Sequence, residues 1–306
     1  MHDPEILHGL RNFVWSAAMY GNAAARVASR GHSLPRIHNE GRHIFVVGAP
    51  RSGTTFLAGA IAAQPGLVDL GEVQPVKAAI PKLTSLPEPE AASRFRRTLD
   101  RVRRLGLSAH LRGVEQTPET AFVLRAVLQA YPEAQTVHIV RDGRDVVCSL
   151  LERGWLSAGR GGRDDTHATY GAHVRFWVEP DRAEEFVGAS DAKRAAWAWR
   201  RYVTAARGED ERRLEVRYED LSVDPRGTAA RLARALDLDA DVLANALSRA
   251  HDRSVGRWRR DLSAEQLAEV EQEAGALLRE LGYSGAGFDA SVESDASPVV
   301  QHGEDA

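Results

Sequence analysis

Between Gly48 and Thr55 the chain reads Gly-Ala-Pro-Arg-Ser-Gly-Thr-Thr. Glycines let backbone N–H groups close on a charged oxygen, and a helix N-terminus adds the positive end of its dipole. Set against a nucleotide-triphosphate loop, G-x-x-x-x-G-K-[ST], Gly48 and Gly53 fall in register and Thr55 takes the hydroxyl position. Thr54 stands where that loop has its lysine, so no ammonium reaches a γ-phosphate. Arg51 supplies instead a planar, permanently charged fork suited to bidentate contact with an oxyanion. A glycine turn that merely joins a strand to a helix is the plainer alternative. The apolar run His43–Gly48 before the turn and the helix after it favour anion binding.

A second strand–turn–helix follows the same plan. Arg141 ends the strand, Ser149 lies on the next helix, and Arg153 shares its face at i+4. Ligands of parallel sheets bind beyond the C-terminal strand ends, so Arg141 belongs near the first loop. Two anion sites on one sheet edge imply a ligand phosphorylated at both ends. Arg144 reads differently, as part of a surface salt-bridge network with Asp142 and Asp145.

These motifs need a frame. Strands at His43–Gly48, Leu67–Val73, Gly113–Pro118, Ala134–Asp142 and Arg212–Leu221 alternate with helical stretches, which predicts an α/β fold, a P-loop-like parallel sheet flanked by helices. Most arginines of the polar helix from Glu88 to Gly106 are expected to be solvated. Before the sheet, residues 1–41 form an N-terminal helical segment whose stripe Ile6, Leu10, Phe13, Val14 and Ala17 should pack on the main domain. From Trp155 to Glu185 the rhythm breaks into Gly, Arg, Asp, His and scattered aromatics, a lid-like insertion expected to shape an acceptor site. Residues 284–306 read as a disordered polar tail. The organisation is thus a single domain over 42–283 with one insertion.

The 306 residues carry 40 basic and 43 acidic side chains. That balance argues against a bulk electrostatic grip on nucleic acid or anionic membrane. No apolar run approaches the ~20 residues of a membrane span, and the start of the chain lacks a signal-peptide pattern. The lone Cys148 forms no internal disulfide. A cytoplasmic location is the expectation.

The run GAPRSGTTFL (48–57) followed by VRDGRDVVCSLLERG (140–154) resembles the sulfotransferases that use 3'-phosphoadenylyl sulfate, nearest the tyrosylprotein sulfotransferase branch and its bacterial relatives. The resemblance runs from Arg42 to Tyr283 and includes VRYEDLSVDP and the segment that opens GRWRRDLSAEQ. It implies a sulfotransferase-type fold and transfer of a sulfuryl group to an acceptor hydroxyl or amine by in-line displacement. It implies Arg51, Ser52, Gly53, Thr54 and Thr55 at the phosphosulfate, and Arg141, Ser149 and Arg153 at the 3'-phosphate. Tyr218 matches the cofactor-contacting tyrosine before the Glu-Asp pair, though a core tyrosine is the alternative. Ser254 and Arg257 fall in the late loop that covers the nucleotide, Arg257 in place of a lysine. The catalytic glutamate of the tyrosylprotein branch matches Glu72, which on the residues alone reads rather as a surface or arginine-paired carboxylate. Gln116 stands where many relatives carry a lysine that assists the leaving group, and Pro118 where the cytosolic branch has its histidine. The implied co-substrate is 3'-phosphoadenylyl sulfate, with no metal; the acceptor is a small molecule, a glycolipid or a peptide. Trp197 and Trp199 are expected in packing roles and Trp258 as the anchor of the late loop. The alternatives are a P-loop kinase or hydrolase, which Thr54 opposes, and a non-catalytic member of the fold, for which Gln116 is the argument.

Overall fold

The computed structural model describes residues 4–31, 42–157, 175–208, 213–284 and 287–288; side chains are described from 17 to 30 and, after residue 42, as far as 283. Its centre is a five-stranded parallel sheet in the order β2-β3-β1-β4-β5, formed by β1 (Ile44–Val47), β2 (Leu67–Gly71), β3 (Arg112–Glu115), β4 (Gln135–Val140) and β5 (Leu214–Arg217). β1 is Ile-Phe-Val-Val with every side chain buried, as a central strand covered on both faces requires. From β1 the chain crosses to β2 and back to β3 on one side; from β4 it crosses to β5 on the other. The adjacent strands β1 and β4 therefore flank the switch point, where the loops part and open a crevice.

Helices cover both faces: α1 (Pro4–Gly31), α2 (Thr54–Ile61), α3 (Gln74–Leu83), α4 (Glu88–Leu105), α5 (Leu124–Ala130), α6 (Gly143–Arg153), α7 (Ala183–Gly188) and α8 (Asp191–Arg207). After β5 come α9 (Tyr218–Val223), α10 (Pro225–Leu236), α11 (Ala240–Leu247), α12 (Trp258–Asp261) and α13 (Ala264–Glu280). Trp197, Trp199 and Tyr202 of α8 pack with α6 and α13 in one core cluster, so both tryptophans take the packing role expected of them. Leu57 and Ile61 of α2 join Leu232 of α10 and Leu243 of α11 in another.

Several local expectations are corrected. The stretch after Thr117 enters as a 3₁₀ segment, Pro118–Val123, before α5 begins. Arg103 of α4 is buried rather than solvated: its guanidinium donates to the carbonyls of Ala109 (2.8 Å) and Leu111 (2.9 Å). Of the expected stripe on α1, Ala17 is exposed, and Ile6, Leu10, Phe13 and Val14 lie outside the described side chains. Ala23 and Val27, with Tyr20 beside them, bury against α3, α4 and β2. Residues 158–174 of the expected insertion, with His167 and His173, lie outside the described residues. A short antiparallel hairpin, β6 (Tyr283–Ser284) with β7 (Gly287–Phe288), runs into the stretch read as a tail, whose remainder is likewise outside them.

Candidate active site

The first loop has backbone geometry that only its residue types satisfy. A Cβ at Gly48 would sit 2.4 Å from the carbonyl oxygen of Ile139 on β4, so glycine is required for close approach of the two strand tips. At Gly53, φ is +98°, and a Cβ would press 2.7 Å from the Tyr218 ring. Arg51 itself adopts φ +74°, an unusual conformation for a non-glycine residue at a functional turn. No side chain caps α2, so the loop leaves the helix's first-turn amides to an outside acceptor.

The side chain of Arg51 crosses the crevice. Its Nε donates to Ser149 Oγ on α6 at 3.0 Å, and its guanidinium lies over the Trp155 ring, 5.6 Å from the centroid. Burial, then the nearby positive charges of Arg153 and Arg141, lowers the pKa of Arg51. Positive charges crowded around a half-buried guanidinium are the electrostatic mark of an anion site.

Arg141 closes the other side. It is buried at the end of β4, and its backbone is fixed by Trp199 Nε1 donating to its carbonyl at 3.1 Å. Its Nη1 donates to the Arg51 carbonyl (3.2 Å) and its Nη2 to the Ser254 carbonyl (2.6 Å). The guanidinium stacks on Tyr218 at 4.4 Å, and Tyr218 Oη lies 3.4 Å from Ser254 Oγ. Arg141 Nε is buried with no hydrogen-bond partner. One arginine thus ties together the first loop, the late loop and the tyrosine that opens α9.

Buried carboxylates hold this arrangement. Asp145 accepts from the backbone N–H of Gly256 (2.7 Å) and of Trp258 (3.0 Å), pinning the late loop to α6. Trp258 is buried and stacks on Arg144 at 4.0 Å, consistent with its expected anchoring role. Glu219 accepts from the N–H of Asp142 (3.0 Å) and from Tyr283 Oη (3.0 Å); burial pushes its pKa up to about 7. Arg144 corrects the surface reading given above. It is almost wholly buried, with Nε and Nη2 donating to the Asp142 carboxylate at 2.9 Å and 2.8 Å, and it serves the frame of the loop.

A cavity of about 460 Å³ opens over these groups. Arg51, Gly53, Thr54, Thr55, Glu72, Arg141, Ser149, Tyr218, Ser254 and Arg257 all line it. Two expected members do not. Ser52 is fully buried behind the loop, and Arg153 is exposed, its charge acting on Arg51. Arg257 reaches the wall with its charge engaged: it pairs with Glu152 and with Asp261 (2.6 Å), chiefly the Glu152 bond raising its pKa. Gln116 is buried beneath the loop, its Oε1 accepting from Thr55 Oγ1 at 3.3 Å.

The opposite wall holds residues the sequence reading did not single out. Lys77 of α3 is buried, with Nζ 2.8 Å from Glu72 Oε2 and 3.7 Å from Glu119 Oε1. Burial raises the pKa of Glu119, against the opposing pull of Lys77, and Tyr202 Oη donates to it at 3.1 Å. Glu119 Oε2 has no hydrogen-bond partner. Arg175, Trp177 and Tyr202 complete this wall. A signal for Lys77 was available: it is one of only three lysines among the 40 basic residues, five positions after Glu72.

A parallel sheet with a glycine loop at its switch point, two arginines converging there and a carboxylate–lysine wall opposite define an α/β group-transfer enzyme. The chain belongs to the sulfotransferase family, whose model matches residues 43–242. Solved structures with the same fold include sulfotransferase STF9 from Mycobacterium avium, at 15% identity and TM-score 0.51, covering 81% of this chain and 79% of that one. Mouse sulfotransferase SULT7A1 complexed with PAP is 16% identical with TM-score 0.47, covering 79% and 86%. The sulfotransferase domain of the Synechococcus PCC 7002 olefin synthase is 17% identical with TM-score 0.44, covering 78% and 98%. No curated protein matches the chain. Among the described residues, no helix is long and apolar enough to cross a membrane.

Proposed function

We propose that the chain is a 3'-phosphoadenylyl sulfate-dependent sulfotransferase in which Arg51 and the loop amides hold the phosphosulfate. Arg141, Ser149 and Ser254 hold the 3'-phosphate end, and Glu72 is the general base. The observation that carries this reading is the meeting of Arg51, Arg141, Ser149, Ser254 and Tyr218 at one rim of the cavity, with a carboxylate on the opposite wall. The donor set fits a doubly phosphorylated nucleotide: an uncapped helix start, the Arg51 guanidinium and the unpartnered Nε of Arg141 all offer N–H groups to oxyanions. When bound, the nucleotide supplies an activated sulfuryl group at its 5' end.

Each residue then has a task. Arg51 and the first-turn amides of α2 stabilise the charge that develops on the departing phosphate. Thr55, held by Gln116, orders the loop; Gln116 offers no positive charge, so Arg51 carries the electrostatic burden there. Glu72 takes the proton of the acceptor hydroxyl or amine as the new bond forms. Lys77, donating to Glu72 Oε2, fixes which carboxylate oxygen is left to face the acceptor. Trp155, Trp177 and Tyr202 give that half of the cavity apolar walls, which suit the body of an organic acceptor. Replacing Glu72 by Gln tests the assignment: nucleotide affinity should stay within about twofold while turnover falls a hundredfold or more. Unchanged turnover would remove Glu72 from the mechanism.

A further inference from the structure

The N-terminal helix lies outside the matched family residues, which begin at 43, yet it reaches the candidate base. Arg26 of α1 donates through Nη2 to the main-chain carbonyl of Glu72 at 2.8 Å. One helical turn on, Arg30 donates through Nη1 to the Asp69 carboxylate at 2.7 Å and to the Asp69 carbonyl at 3.2 Å. Both arginines converge on the one irregular stretch of β2. Its pairing with β3 shifts register between Asp69 and Gly71, Asp69 Oδ1 accepts from the Gly71 N–H at 2.8 Å, and Gly71 has φ +66°.

Strand irregularities re-aim a side chain, and they hold their aim only when the surrounding contacts fix them. On its β3 side this stretch is secured by Thr117 Oγ1 accepting from the Val73 N–H at 3.0 Å and by the Gly71 carbonyl accepting from the Gln116 N–H at 3.3 Å. On its outer side β2 is the sheet edge, with no further strand beside it among the described residues. There the geometry points to α1 as a strut for catalysis, in which Arg26 is a positioning residue for Glu72 and Arg30 steadies the turn before it. The helix is seated for this: Val27 and Ala23 are buried, and Tyr20 lies against the guanidinium of Arg101 on α4 at 4.6 Å. Arg26 touches the backbone of Glu72, leaving its carboxylate to Lys77 and the cavity. The inference rests on Glu72 being the base.

The test is a double-mutant cycle on the full chain with Arg26→Met and Glu72→Gln. It is read as transfer of radiolabelled sulfate from 3'-phosphoadenylyl sulfate to the best of a panel of phenols, alcohols and sugars, or to water where none competes. Amide exchange over residues 70–76 and affinity for adenosine 3',5'-bisphosphate are measured on the same samples. Arg26→Met should lower kcat about tenfold, leave nucleotide affinity within about twofold and speed exchange over 70–76. On the Glu72→Gln background it should cost less than about twofold, because the group it positions is already disabled. Arg26→Lys, which keeps a donor, should recover most of the loss and guards against a variant that fails to fold. An equal tenfold loss on both backgrounds would overturn the inference and mark Arg26 as merely structural; so would unchanged kcat and exchange in Arg26→Met. If Glu72→Gln alone leaves turnover intact, the base assignment fails instead, and faster exchange in Arg26→Met would then record a strut without a catalytic role.

Discussion

The two walls of the cavity are built by different means. The wall proposed to face the nucleotide is made at strand tips: Gly48, Arg51 and Gly53 follow β1, and Arg141 follows β4, so the sheet itself places them. The wall proposed to face the acceptor is made of side chains from elements that meet only in three dimensions. Glu72 comes from the end of β2, Lys77 from α3, Glu119 from a 3₁₀ turn and Tyr202 from α8. A wall fixed by backbone topology can hold a constant ligand, and one assembled from separate side chains can vary with the acceptor. The division predicts that substitutions on one wall change binding of the nucleotide, while those on the other change turnover.

The largest expected effect is on the acceptor-facing wall, where Glu72→Gln should cut kcat a hundredfold or more with nucleotide affinity preserved, as steady-state kinetics and calorimetry would record. On the opposite wall, Arg51→Ala and Arg141→Ala should each weaken adenosine 3',5'-bisphosphate by roughly 1.5–3 kcal/mol, the worth of a charge-assisted contact. Equal losses of turnover and affinity from all three variants would erase the comparison.

Legibility in the sequence followed the same division. The loop from Gly48 to Thr55 and the Arg141–Ser149 pair could be read because their spacing is local and their chemistry is carried by residue type. The parallel sheet could be read because β1 is apolar at every position, and strands alternate with helices along the chain. The strand order that makes β1 and β4 neighbours, and so joins the two motifs into one site, is a property of tertiary packing. Lys77 and Glu119 are 42 positions apart, and although the rarity of lysine marks Lys77 out, nothing local tells that it will be buried between two carboxylates. Arg144 was misread because an Arg beside two aspartates has the composition of a surface network; its burial involves Trp258 of the late loop stacking on it, a contact made in tertiary structure. Arg153 shares a helix face with Ser149 but is exposed and does not line the cavity, a position that i+4 spacing alone does not fix.

Smaller effects sharpen the contrast. Lys77→Met should lower kcat by about tenfold by leaving Glu72 free to turn, with nucleotide affinity altered less than about twofold. A large loss of nucleotide affinity in that variant would merge the two walls. The smallest effect concerns a buried carboxyl group on β3. Glu115 is fully buried, and burial pushes its pKa up from 4.5 to about 8, against the hydrogen bonds donated by Thr117 and Thr120. The folded chain therefore binds this proton more tightly than the unfolded chain does. Its stabilising contribution is complete below about pH 4.5 and is lost as pH rises towards about 8. Melting temperature measured across that window should fall with rising pH, and Glu115→Gln should flatten the slope; a slope unchanged in the variant would assign the dependence elsewhere.

The clasp at the two strand tips is tested most directly by calorimetric titration of the intact protein with adenosine 3',5'-bisphosphate, adenosine 5'-phosphate and ATP at one salt concentration. The bisphosphate should bind at least about tenfold tighter than either competitor, and Arg141→Ala should abolish that preference, since a lost charge-assisted contact is worth about that much. Equal affinity for the three nucleotides, or a preference for ATP, would contradict the account.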